Sequence, residues 1–251
     1  MKNSAPLVFL RSALFMALGL IAVVVHASLI VVLAPLPHRW LYRIVTSFGH
    51  VFTWLLKHVV GLDYVVHGKE NIPQDNSVVY LKHESAWETI AELLIFPRQC
   101  WVLKRELMWA PFVGWALLRL KPIAIDRGAR GTALEQVVEQ GERRLAEGLW
   151  VMIYPEGTRV QPGQTRRYGL SGAILARAAG KRIVPMAHNA GDFWPRRSFV
   201  KHPGTIRVFI GPPIETYGRA PAAINREAQE WIEGRLALLR SQQRQALETD
   251  S

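Results

Sequence analysis

His83 and Glu88 stand five positions apart in the stretch LKHESAWET (81–89), and their types suit acid–base chemistry. An imidazole oriented by a carboxylate can take a proton from a hydroxyl, which is the logic of a catalytic triad without its serine. The zinc-protease helix H-E-x-x-H is excluded, because Trp87 occupies the place of the second histidine. In an ideal α-helix five positions turn through about 500°, so the two side chains would not share a face. They can meet only if His83 lies in a loop before the helix and folds back. A purely structural reading stays open beside this one. His83 is one of eight histidines, and Ser85 with Glu88 forms S-x-x-E, the capping box of a helix that begins there. Capping also explains Ser85 more simply than a nucleophilic role. No G-x-S-x-G elbow exists, since GLSGA (169–173) ends on Ala173.

Two further clusters carry charge next to apolar runs. YPEGTR (154–159) follows LWVMIY, with Gly157 permitting a tight turn and Glu156 and Arg159 projecting from it. Arginine is suited to bidentate phosphate recognition. Lys104 and Arg105 end one apolar run and Arg127 ends the next, a distribution that reads as a phosphate site. Taken singly, EGTR is also a polar turn with an ion pair, and each cation is also plain surface charge.

Short β-branched and aromatic runs must position these groups. Strands are expected at 63–68, 78–82, 100–104, 122–125, 149–154, 182–187 and 205–211. Helices are expected at 107–118, 132–147, 170–179 and 221–247. The alternation implies a single α/β domain with a mixed, largely parallel central sheet flanked by helices. His83 would then fall just beyond the carboxyl end of a buried strand, where open α/β sheets gather ligands.

Ser12 to Pro37 contains no Asp, Glu, Lys or Arg. Roughly 20 apolar residues cross a bilayer core. The run exceeds the 7–15 or so apolar residues of a cleaved leader, so it reads as a retained anchor, spanning or re-entrant near His26–Ser28. Trp40, Tyr42, Phe48, Phe52 and Trp54 fit an interfacial segment, or an amphipathic helix packed on the domain. The chain thus divides into an anchor (1–39), an interfacial segment (40–62), a catalytic domain (63–220) and a C-terminal polar helix and tail (221–251). A net charge of +11 suits a surface that meets anionic lipid, phosphorylated substrates or nucleic acid. Beside a membrane anchor the lipid surface is the better match, and no nucleic-acid motif is present. The single Cys100 excludes an intramolecular disulfide and a multi-cysteine zinc site. It sits in CWVL as a small packed hydrophobe.

Four segments in order resemble the glycerolipid acyltransferases, and bacterial lysophosphatidic acid acyltransferases in particular. His83 to Glu88 is similar to the H-x-x-x-x-D motif. Lys104 to Arg127 matches its K-x-E-L, P-x-x-G-W and I-D-R elements. YPEGTR is similar to F-P-E-G-T-R, and Ile183-Val184-Pro185-Met186 to an apolar strand ending in V-P. Glu88 in place of Asp is one methylene longer and can still accept the imidazole hydrogen bond. Met186 is a milder departure. The resemblance implies transfer of an acyl group from a thioester, acyl-CoA or acyl carrier protein, to the free hydroxyl of lysophosphatidic acid. It implies His83 as general base, Glu88 as its partner, and no metal or cofactor beyond the co-substrate. Lys104, Arg127, Glu156, Gly157, Thr158 and Arg159 are implied to hold the acceptor, with Pro185 lining the substrate. The enzyme would lie on a bacterial inner membrane, its catalytic domain on the cytoplasmic side. The sequence does not identify the oxyanion donors, amides at the helix start after His83 being one candidate set. Trp101, Trp109, Phe112 and Trp115 fit the lining of an acyl groove or, as aromatics at this spacing more often do, plain core. A different lysolipid acceptor, such as lyso-ornithine lipid, is the alternative within the family. Thioester hydrolysis, and a tethered anionic-lipid-binding module without turnover, are more distant readings.

Overall fold

The computed structural model describes residues 4–126 and 132–249. Seven strands form one sheet: β1 (Leu62–His67), β2 (Val78–Leu81), β3 (Gln99–Lys104), β4 (Ile123–Ile125), β5 (Trp150–Ile153), β6 (Ile183–His188) and β7 (Gly204–Ile210). Their spatial order is β1-β7-β6-β2-β5-β3-β4, with β2 at the centre. Every pairing is parallel except β6 with β7. The mixed, largely parallel α/β sheet expected from the sequence is therefore present.

Both faces of the sheet are covered, which is why its strands read as continuous apolar runs. Side chains alternate between two cores with the strand period of two. Val79, Leu81 and Met152 point into one, and Val78, Tyr80 and Val151 into the other. The first core is closed by α1 (Ala5–Val32), α2 (His38–Leu55), α3 (Glu88–Ile95) and α4 (Val113–Arg119). The second is closed by α5 (Thr132–Ala146), α6 (Ser171–Ala178) and α8 (Pro221–Thr249), while a short α7 (Ala190–Phe193) follows β6. Gly172 lets α6 reach β2, since a Cβ there would meet the Tyr80 ring at 2.2 Å. Cys100 is fully buried, and burial pushes its thiol up to about 12.

The N-terminal run is one unbroken helix, with no turn at His26–Ser28. It is apolar and long enough to cross a membrane by length and composition. The chain reverses after Val32, and α2 returns beside α1: Phe15 meets Phe52 and His26 meets Phe48. One face of α1 belongs to the folded body. Phe15 and Ile30 are buried, and the Ser12 hydroxyl accepts the Lys201 backbone N–H at 3.0 Å. The opposite face exposes Leu10, Leu14, Ile21 and Val25.

The helix expected at 107–118 is broken. A 3₁₀ turn over Arg105–Trp109 is separated from α4 by Ala110–Phe112, where Phe112 has φ +59°. A proline at 111 has no N–H to continue the first turn. The C-terminal helix, polar by composition, carries a buried stripe of Ile224, Ala228, Ile232, Leu236 and Leu239 and packs against β6 and α6.

Candidate active site

Because β2, β3 and β5 run parallel, the loops that leave their carboxyl ends meet at one edge of the sheet. His83 follows β2, Lys104 ends β3, and Tyr154–Arg159 follows β5. The segment after His83 stays non-helical until α3 begins at Glu88, so the histidine does fold back. His83 Nδ1 lies 2.9 Å from Glu88 Oε1.

Each part of His83 is held. Its backbone N–H donates to Glu156 Oε2 at 2.9 Å, and its carbonyl accepts the Val160 N–H at 2.8 Å. The ring stacks on Tyr154, with centroids 4.1 Å apart and planes at 27°. Glu88 is fully buried and accepts the amide N–H groups of Glu84 and Ser85 at 3.1 and 2.9 Å. Burial pushes its carboxyl up, but the hydrogen bond to His83, the neighbouring His188 and the Ser85 amide outweigh it. The net position is below the usual carboxylate range. An ionised Glu88 selects the tautomer with hydrogen on Nδ1, leaving the lone pair on Nε2. Half of the capping box also forms: Glu88 takes the Ser85 N–H, while the Ser85 hydroxyl accepts from Trp87 rather than from the helix itself. The amides of Glu84 and Ser85 are thus engaged by Glu88 and are not free to serve a developing oxyanion.

Behind Glu88 sits His188 at the end of β6, fully buried, with Nε2 2.9 Å from the Lys82 carbonyl and 3.9 Å from Glu88 Oε2. Burial holds its pKa below the ordinary histidine value, and its Nδ1 accepts the Ala190 N–H at 3.3 Å. Nothing in local spacing signals this second imidazole, 105 positions from the first by number.

His83, Lys104, Gly157, Thr158 and Arg159 border one cavity of about 620 Å³. Gly157 adopts φ +70°, closing the turn with its N–H on the Tyr154 carbonyl at 2.9 Å. Arg159 has its Nε buried with no hydrogen-bond partner among the described residues. Two further cations that the motifs did not indicate complete the wall, Arg196 and Arg197. Arg196 donates to the Arg159 carbonyl, and Arg197 sits at φ +61°. The only advance sign of them was the adjacent pair in WPRRS. Together Lys104, Arg159, Arg196 and Arg197 make a cationic pocket beside an imidazole. Arg127 lies outside the described residues.

Two expected substrate contacts are placed elsewhere. Glu156 does not line the cavity. It is buried, with Oε1 accepting from Lys82 Nζ at 2.8 Å and Oε2 from the His83 N–H. Lys82 is itself fully buried and also donates to Glu233 Oε1 on α8 at 2.8 Å. Glu156 therefore positions the loop. Pro185 lies within β6 opposite Tyr80, its carbonyl accepting the Gly211 N–H at 2.8 Å, buried and outside the lining of the cavity.

A second cavity, apolar and about 370 Å³, lies between α1, α2, α3, α4 and β3. It shares Thr89, Leu103 and Tyr154 with the first as a common wall. Trp101 lines it as expected, but Trp109, Phe112 and Trp115 are exposed at 73%, 52% and 48% and do not. A cavity walled by cations next to an apolar groove has the character of an amphiphile site, with Tyr154, on which the imidazole stacks, in the shared wall.

Comparison with known proteins agrees with this geometry. The acyltransferase family model matches residues 63–189. A 1-acyl-sn-glycerol-3-phosphate acyltransferase of Pseudomonas aeruginosa is 43% identical over 233 residues, 91% of each chain. The human 1-acyl-sn-glycerol-3-phosphate acyltransferase alpha is 29% identical over 169 residues, 66% of this chain and 60% of that one. The crystal structure of the 1-acyl-sn-glycerophosphate acyltransferase of Thermotoga maritima has the same fold. It superposes with a TM-score of 0.77 over 92% of this chain and 95% of that one, at 21% identity. By the matched half of its length and by its 43% identity to a relative covered almost end to end, this chain belongs to the acyltransferase family.

Proposed function

We propose that this acyltransferase moves an acyl group from a thioester, acyl-CoA or acyl carrier protein, to the free hydroxyl of lysophosphatidic acid at a membrane surface. One observation carries the reading: the His83–Glu88 pair opens onto a pocket walled by Lys104, Arg159, Arg196 and Arg197, which shares a wall with an apolar groove. The 43% identical relative is named for this acceptor.

The acceptor's phosphate sits among the four cations, which charge-assisted and bidentate contacts favour. This fixes its hydroxyl near His83 Nε2. As the hydroxyl oxygen attacks the thioester carbon, its proton passes to Nε2, and Glu88 stabilises the imidazolium through Nδ1–H. The C–S bond then breaks, and the thiolate leaves with a proton returned from the imidazolium. A positioned base is worth about 10²–10⁴-fold in rate. The acyl chain lies in the groove between the helices, and the exposed face of α1 rests in lipid.

The test is an acceptor screen with purified protein and labelled acyl-CoA, comparing lysophosphatidic acid, other lysophospholipids and lyso-ornithine lipid. Preferred acylation of lysophosphatidic acid is expected. Preference for an acceptor without a terminal phosphate, or thioester hydrolysis that no acceptor alters, would overturn the reading.

A further inference from the structure

Glu92 has no part in the chemistry described so far, yet it is fully buried one helical turn beyond Glu88. Its surroundings are neutral donors: Trp101 Nε1–H reaches Oε1 at 2.6 Å and the Tyr154 hydroxyl reaches Oε2 at 2.9 Å. Burial pushes its carboxyl up to about 8, against the pull of those two bonds. A buried carboxyl without a cationic partner is unfavourable for the fold, so its bonds ask for an explanation. Tyr154 supplies one, because the ring that Glu92 holds by its hydroxyl is the ring stacked on His83 at 4.1 Å. Helix α3 thus addresses the imidazole twice, through Glu88 in the ring plane and through Glu92 and Tyr154 on the ring face. Tyr154 also stands in the wall common to the polar cavity and the apolar groove.

We infer that Tyr154 and Glu92 form a positioning pair for His83: Glu92 fixes the tyrosine, and the tyrosine face orients the imidazole and stabilises the imidazolium formed as it takes the acceptor's proton. An aromatic face attracts a cation lying over it, more strongly when water is excluded. The inference rests on His83 being the base.

The experiment uses the full chain in detergent, with steady-state kinetics against pH and a melting curve for each variant. Tyr154→Leu removes the ring. It is expected to lower kcat by about 10–30-fold, with the acceptor KM nearly unchanged. The apparent pKa of the base in the kcat/KM profile should fall, because the imidazolium has lost its partner. Wild-type kcat with an unmoved profile would overturn the inference. Should that variant not fold, a cycle of Tyr154→Phe and Glu92→Gln decides. Each loosens the same hydrogen bond, so the double variant is expected to lose no more than the worse single one. Additive losses, or no loss in any of the three, would overturn it. His83→Ala run alongside separates the two claims. Turnover retained there rejects the base itself, whereas turnover lost there but intact in Tyr154→Leu rejects only the positioning pair.

Discussion

At the scale of residues, Arg159 is the side chain whose role can be isolated most cleanly. Its neighbours Lys104, Arg196 and Arg197 border the same cavity, and its Nε is buried without a protein partner among the described residues. We expect Arg159→Ala to raise the KM for lysophosphatidic acid by about 10–100-fold, the range of a lost charge-assisted hydrogen bond, while the KM for the acyl donor changes little. Equal effects on both would remove it from phosphate binding. Which residues could be read ahead of the structure follows from how local their partners are. His83 and Glu88 lie within one six-residue motif, and Gly157, Thr158 and Arg159 within one turn, so short motifs carry the family resemblance that points to them. Glu156 misled because a carboxylate beside a turn glycine reads as exposed. Its partners Lys82 and the His83 N–H lie 74 and 73 positions away, and Lys82 in turn reaches Glu233 on the last helix; no local pattern announces them. Arg196 and Arg197 were missed for the same reason.

At the scale of elements, the site is a meeting of loops that long-range contacts hold together. The loop after β2 is tied to the loop after β5 through His83, Glu156 and Val160. Both are tied to α8 through Lys82–Glu233 and through Glu84, which accepts two hydrogen bonds from Arg240 at 2.8 and 3.0 Å. Burial pushes the Glu84 carboxyl up to about 7, although Arg240 pulls it down. A folded-state pKa above the unfolded value favours folding at low pH, and that contribution is lost as pH rises from about 4.5 to about 7. Arg240→Ala removes the compensating cation, so a buried ionised Glu84 would stand alone above that range. The variant should lose roughly 3 kcal/mol of stability at pH 8 and distinctly less at pH 5, read from chemical denaturation at the two values. Equal losses would contradict the pairing. All seven strands lie within one residue of their expected bounds, because their β-branched runs are bracketed by turn residues. The helices were less legible. The 107–118 run has the right periodicity, but the break at Ala110–Phe112 interrupts it. The buried stripe of α8 is diluted by the charged residues around it. Pro185 belongs to the fourth motif, which the family resemblance sets at a substrate-lining strand end, whereas the strand order places it in mid-sheet.

At the scale of the whole molecule, α1 faces two ways. Hydropathy registers both faces alike and cannot separate the one packed on protein from the exposed one, so the run from Ser12 to Pro37 reads from sequence as an anchor alone, with no sign of its packed face. In the fold, removing residues 1–39 would strip Phe15 and Ile30 from the core and is expected to destabilise the protein as well as release it. A cleaner test replaces Leu10, Leu14, Ile21 and Val25 with lysine or aspartate on the exposed face. The protein should then leave the membrane fraction with its melting temperature nearly unchanged. Undiminished sedimentation with membranes would place the membrane contact elsewhere, for instance at the exposed Trp109, Phe112 and Trp115.

Base catalysis by His83 is measured most directly by single-turnover transfer from labelled acyl-CoA to lysophosphatidic acid by the wild-type protein and by His83→Ala in the same detergent. The wild type should form labelled phosphatidic acid, and the variant should be slower by about 10²–10⁴-fold while melting at nearly the same temperature and still binding the acceptor. A folded His83→Ala protein that forms phosphatidic acid at the wild-type rate would contradict the account.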